Sequence, residues 1–179
     1  MTSVEELGSV HRAFEAAAVT FASRPFLRTP AVSAESYAGG AVQYTYDETK
    51  TRVDELAGGY AVHDLQPGDR VAIAFDSRLE VYLHLLALNA LGVSVVPLNS
   101  GASDDELRHI IGHSDSRLLV CLPEYRDRLA SLDLCTVVTE EQLTAERQAF
   151  TLAAVDPDAE AGLLYTSGTT GKPKGCMLS

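Results

Sequence analysis

The chain has 179 residues, of which 46% are hydrophobic and 22% charged, with 25 acidic against 14 basic side chains and a formal net charge of −11. That length is enough for one domain with a real core, and the composition is that of a globular protein. The acidic excess argues against a general binder of nucleic acid or of acidic membrane surfaces.

Residues 4–22 read as a helix. Ser3 and Glu6 stand at capping-box spacing, and Val10, Phe14, Ala17, Ala18 and Phe21 recur at helical intervals. Residues 31–37 and 41–45 read as two strands joined at Gly39-Gly40, a two-residue hairpin signal. Thr45 then caps a helix running to about His63, with Glu48 at the capping-box position; Gly58-Gly59 inside it suggests close packing. Gln66-Pro67-Gly68-Asp69 is a turn that Asp69 shapes, and Val71 to Phe75 is a short apolar strand.

Ser77 and Glu80 open the next helix, apolar on most faces and therefore expected to be buried, with Gly92 as its stop. Val93 to Pro97 is the following strand. The stretch Leu79 to Leu98 is the most apolar, but Glu80, His84, Asn89 and Pro97 interrupt it, which fits a buried helix and strand better than a membrane span. His84 on this helix is expected to be a core histidine with a polar partner. Ser103 and Glu106 open a helix through about His113, whose acidic first turn complements the helix dipole. His109 and His113, four apart, could ligate a metal, but a solvated face is the plainer reading. Leu118 to Leu122 is a strand, 124–131 a short helix, and Thr136 to Val138 a strand. Residues 139–160 read as a helix and a surface connection. The alternation of strand and helix implies an α/β fold with a mainly parallel sheet flanked by helices, with no internal repeat or low-complexity tract.

Cys121, Cys135 and Cys176 lie far apart and form no CxxC pair. Free thiols in a reducing compartment, and so a cytoplasmic location, are the simplest reading. The start of the chain has no basic segment followed by an apolar run, so no signal peptide is read there.

The richest segment is Tyr165-Thr166-Ser167-Gly168-Thr169-Thr170-Gly171-Lys172-Pro173-Lys174-Gly175. An apolar run, Ala161 to Tyr165, leads in, and Cys176-Met177-Leu178 leads out. Glycines allow positive φ and close approach of a ligand to the amides, and successive amides form an anion-binding nest. Hydroxyls add donors and the two lysines add charge, so a phosphate chain is the natural ligand. The segment is not a Walker A loop, because only two residues separate Gly168 from Gly171 and Pro173 follows the lysine. It reads as a lid between two strands.

That string resembles the phosphate-binding signature of the adenylate-forming superfamily, which includes acyl-CoA synthetases, luciferases and peptide-synthetase adenylation domains. Tyr44-Thr45-Tyr46, Pro67-Gly68-Asp69-Arg70-Val71-Ala72-Ile73, and Ala90-Leu91-Gly92 followed by Val95-Val96-Pro97-Leu98-Asn99 resemble other family segments. The resemblance implies ATP and magnesium as cofactors, a carboxylic acid substrate, and CoA or a phosphopantetheine thiol as acceptor. Thr166, Ser167, Gly168, Thr169, Thr170 and Gly171 would cradle the β- and γ-phosphates, Lys172 and Lys174 would assist, and Thr166 would contribute to the metal.

No catalytic residue of the family falls within this sequence. The acyl pocket, the ribose-binding Asp, the hinge and the C-terminal catalytic lysine would lie later. The chain is therefore expected to be a partial N-terminal AMP-binding domain, inactive alone, with the remainder missing or on a second chain. Its parts would be an α/β subdomain (1–138), a connection (139–160) and the loop with its flanking strands (161–179). A short non-catalytic nucleotide-binding homologue and an unrelated α/β hydrolase or transferase are the alternatives. Asn99 tilts the resemblance towards CoA ligases over amino-acid or aryl-acid adenylation domains. Asp76-Ser77-Arg78 and Gly101 depart from the family pattern.

Overall fold

Residues along the central strands are buried on both faces, and successive side chains join two separate core clusters. A computed structural model describes residues 8–154, 156–166 and 172–179. Six strands form the main sheet: β3 (Arg70–Ala74), β4 (Ser94–Pro97), β5 (Leu118–Cys121), β6 (Thr136–Thr139), β7 (Gly162–Thr166) and β8 (Lys174–Leu178). Their order is β6-β5-β3-β4-β7-β8. Every pairing is parallel except that of β7 with β8, which is antiparallel. The sequence expectation of a mainly parallel α/β sheet flanked by helices is met.

Chain direction explains the two layers. From β3 the chain crosses to β4 through α4 (Glu80–Ala90), then returns through α5 (Asp104–His113) to β5 on the other side of β3. Two right-handed crossovers in opposite directions put their helices on opposite faces. Val71, Ile73, Val95, Leu118 and Val120 accordingly pack with Leu83, Leu86 and Ala87 of α4. Ala72, Ala74, Val96, Leu119 and Cys121 pack with Leu107, Ile110 and Ile111 of α5. Helices α1 (Val10–Phe21) and α3 (Tyr46–Ala61) add Phe14, Val53, Leu56 and Tyr60 to the α4 face, while α6 (Pro123–Ala130) adds Leu129 to the α5 face. Central strands buried on both sides are apolar runs for that reason.

Caps fix the helix starts. In α3 the Thr45 hydroxyl accepts from the Glu48 amide (3.2 Å) and the Glu48 carboxylate accepts from the Thr45 amide (2.7 Å). These bonds hold the Glu48 carboxyl below its ordinary range. Ser103 caps α5 through the Glu106 amide. A second capping box, Thr139 with Gln142, opens α7 (Glu140–Ala145). Asp69 shapes its turn by accepting from the Gln66 amide and from Arg117, each at 2.8 Å.

Three local expectations are corrected. Residues 31–37 are not a strand but helix α2 (Ala31–Ala38), and Gly39, at φ 66°, is its left-handed C-cap rather than a hairpin turn. The strand β2 (Val42–Thr45) pairs instead with β1 (Pro25–Thr29), antiparallel in a separate two-stranded sheet. Gly and Asn at a helix end carry the same sequence mark as a tight turn, because both need positive φ. Ser77 does not cap α4, which starts after Leu79 without a side-chain cap. Among the described residues the first helix begins at Val10, capped by Ser9; the Ser3–Glu6 box lies outside the described residues.

Gly59 is a close-contact glycine. A Cβ there would stand 2.5 Å from the Leu143 carbonyl oxygen, so α3 and α7 meet backbone to backbone at this point. His84 is fully buried in α4. Its Nδ1 meets the Tyr60 hydroxyl at 2.7 Å and its Nε2 meets Glu140 at 3.2 Å, and Glu140 also accepts from Arg52 at 2.6 Å. Burial opposes the charge of Glu140, but His84 and Arg52 outweigh it and hold the carboxyl below its ordinary range. Burial pushes the Tyr60 phenol well above its usual range. Among the described residues no helix is long and apolar enough to cross a membrane.

Candidate phosphate-binding site

The site is built at the end of β7. Parallel pairing with β4 points β7 the same way as β3 and β4, so Thr166 stands at the carboxyl edge of the sheet, where α/β folds open their ligand crevices. The entry to β7 is fixed at the opposite edge. Arg70 donates to Glu160 through Nε (2.7 Å) and Nη2 (2.8 Å), and the Ser94 hydroxyl donates to the same carboxylate (2.6 Å). Asn89 donates to the Ala161 carbonyl at 2.9 Å. The Arg70 bonds, helped by Ser94, hold the Glu160 carboxyl below its ordinary range against a smaller opposing effect of burial.

Strand β8 returns beside β7, with Thr166 opposite Lys174 and Tyr165 opposite Gly175. Thr166, Lys172 and Lys174 are exposed. Ser167, Gly168, Thr169, Thr170 and Gly171 lie outside the described residues. The structure therefore brings together Thr166, Lys172 and Lys174 at one corner of the sheet. No ion pair is formed by either lysine among the described residues. Two cations and a hydroxyl without anionic partners fit a polyphosphate. For magnesium the fit is partial: Thr166 offers one oxygen, and no cluster of three or more His, Cys, Asp or Glu is placed for a metal among the described residues.

The Gly175 position explains one motif glycine. A Cβ there would lie 3.0 Å from Leu163 and 3.3 Å from the Tyr165 ring, so the bare strand lets that ring lie across it. Two residues of this neighbourhood carry no mark in the motif. His109 Nε2 donates to the Pro173 carbonyl at 3.0 Å, and His113 Nδ1 meets the Tyr165 hydroxyl at 2.7 Å. His113 is exposed, as a solvated face implies, and His109 is half-buried, but both also bind the β7–β8 hairpin. Their spacing of four was visible in the sequence, but the hairpin they reach was not.

The Asp76 and Gly101 departures sit at the same carboxyl edge. Asp76, at φ 53°, accepts from Ser100 and from the Tyr125 hydroxyl (3.0 Å), and Asn99 accepts from the Gly101 amide at 3.0 Å. These bonds join the loops after β3 and β4 to each other and to α6.

Comparison with known proteins gives a consistent answer. The family model described as AMP-binding enzyme matches residues 14–179. Feruloyl-CoA synthase of an Amycolatopsis species is 34% identical over 149 residues, covering 78% of this chain and 29% of that protein. Enterobactin synthase component F of Escherichia coli O157:H7 is 32% identical over 152 residues, covering 84% of this chain and 12% of that protein. The solved o-succinylbenzoate CoA synthetase of Bacillus subtilis, in complex with its acyl-adenylate intermediate OSB-AMP, superposes with a TM-score of 0.75 at 28% identity, covering 90% of this chain and 40% of that one. The chain thus spans less than a third of the length of these curated relatives.

Proposed function

From the premise that this chain belongs to the AMP-binding enzyme family, in the adenylate-forming superfamily, we propose that it is the N-terminal part of an ATP-dependent acid–thiol ligase. The observation that carries the reading is the corner formed by Thr166, Lys172 and Lys174 at the carboxyl edge of the parallel sheet. In the proposed reaction a carboxylate oxygen attacks the α-phosphorus of ATP, and pyrophosphate leaves as the acyl-adenylate forms. A thiolate then attacks the acyl carbonyl and AMP departs.

The segment from Thr166 to Gly171 would cradle the β- and γ-phosphates, with Lys172 and Lys174 balancing the charge that builds on the leaving pyrophosphate. Thr166 would supply one oxygen to magnesium, which when bound neutralises the polyphosphate. The thiol is proposed to be CoA, supported by Asn99 and by similarity to CoA synthases. Similarity to enterobactin synthase component F supports a second reading, in which the acceptor is a carrier-protein pantetheine.

The test is a titration of the chain with inorganic pyrophosphate and with Mg-ATP, followed by amide NMR. Shifts centred on residues 166–175, weakened about tenfold or more by Lys172→Ala with Lys174→Ala, are expected. Carboxylate-dependent ATP–pyrophosphate exchange by the chain alone is expected to be absent, and robust exchange sinks the claim that essential groups lie elsewhere. Offering CoA and a pantetheinylated carrier to the whole enzyme separates the two acceptors.

A further inference from the structure

Helix α5 lies against the β7–β8 hairpin and touches it on both sides of the phosphate segment. His113 reaches Tyr165, one residue before that segment, and His109 reaches Pro173, between its two lysines. We propose that His109 and His113 are positioning residues for Pro173 and Tyr165, a clasp that fixes to α5 the two strand ends carrying Thr166, Lys172 and Lys174. The proposal rests on the polyphosphate reading above.

The chemistry of each contact is specific. A carbonyl oxygen only accepts, so the 3.0 Å contact to Pro173 requires His109 to carry a proton on Nε2. Pro173 has no amide hydrogen, and its carbonyl belongs to the peptide that joins it to Lys174. Rotation of that peptide swings Lys174 directly and, through the fixed proline ring, moves Lys172. His109 thereby fixes the backbone that carries both cations.

On the other side Tyr165 lies over Gly175, in the space a side chain there would fill. The His113 ring meets the Tyr165 ring edge-on, at 87° and 5.8 Å between centroids, as well as through the hydroxyl. Tyr165 is thus held at its tip while β7 holds its backbone. One turn of helix separates the two histidines, whose rings are 5.5 Å apart, so a single rigid element sets both ends. Holding Thr166 and Lys174 in place before a ligand arrives raises affinity, because pre-placed groups lose less freedom on binding.

A histidine contact through Nε2 is mimicked by glutamine, and one through Nδ1 by asparagine, because the amide nitrogen reaches the same place. That difference gives the test. The chain and its variants are titrated with inorganic pyrophosphate, while amide exchange at Thr166 and Lys174 and the melting temperature are followed.

His109→Ala and His113→Ala are each expected to weaken pyrophosphate binding by about five- to tenfold and to speed exchange at the hairpin, with melting nearly unchanged. His109→Gln and His113→Asn should stay within about twofold of the parent, and Tyr165→Phe should reproduce His113→Ala. Unaltered affinity and exchange in the alanine variants overturns the clasp. So does a loss that the matched amide variants fail to restore, or one that only follows global unfolding. If the parent chain does not bind pyrophosphate, the polyphosphate reading fails. Amide exchange then decides the clasp alone: acceleration restored by glutamine and asparagine upholds it, and no change overturns it.

Discussion

Arg70 and Glu160, ninety residues apart in sequence, form a two-point pair at 2.7 and 2.8 Å that joins the first residue of β3 to the approach of β7. Because the carboxyl of Glu160 is held below its ordinary range, chiefly by these bonds, it contributes stability that is present above its unfolded value of about 4.3 and is lost as pH falls through the lower folded value. Glu160→Gln is expected to lower stability by about 1–2 kcal/mol at pH 7. Urea denaturation across pH should show the gap to the parent narrowing below about pH 4. A gap independent of pH contradicts this account.

Two helix glycines are expected to respond in opposite directions. Gly59→Ala forces a methyl to 2.5 Å from the Leu143 carbonyl and should cost about 2–3 kcal/mol. Gly112 in α5 has nothing within 4 Å of its notional Cβ, so Gly112→Ala should add about 0.5–1 kcal/mol. Thermal melts of the two single variants are sufficient, and equal effects refute the packing distinction.

Tyr60→Phe removes the hydroxyl that meets His84 Nδ1 and leaves a fully buried ring nitrogen without its partner. A cost of about 1–3 kcal/mol in chemical denaturation is expected, with an unchanged fold by circular dichroism. A neutral substitution means that water replaces the hydroxyl.

The cysteines should separate by reactivity. Burial pushes the Cys121 and Cys135 thiols up to about 11, whereas Cys176 on β8 is exposed. Ellman's reagent at pH 8 is expected to titrate one thiol quickly and two slowly, and Cys176→Ser should abolish the fast phase. Two fast phases count against the burial.

The parts of the fold visible in the sequence are those set locally. Thr45 with Glu48 and Ser103 with Glu106 announce their helices because a cap needs only residues three apart. Thr139 with Gln142 carried the same sign at the start of α7. The β1–β2 pairing was hidden, since Ala31–Ala38 is composed as well for a strand as for a helix and only its neighbours decide. For the site, the motif names Thr166, Lys172 and Lys174 outright. His109 and His113 could not be recognised because their partners, Pro173 and Tyr165, lie 64 and 52 residues away and meet them only after α5 crosses the sheet.

The strand order has a kinetic meaning. Strands β3, β4, β5 and β6 complete one side of the sheet before β7 takes its place beside β4, sixty-odd residues after β4 in the chain. Closing that distance is slow compared with forming the neighbouring units. During synthesis the outer edge of β4 stays open until the residues after 160 emerge, and the corner at Thr166 is assembled after the four strands before it. A pause or a damaging substitution near Glu160 or Ala161 is therefore expected to leave a folded α/β layer with an unpaired strand, prone to pair with the same edge on another chain.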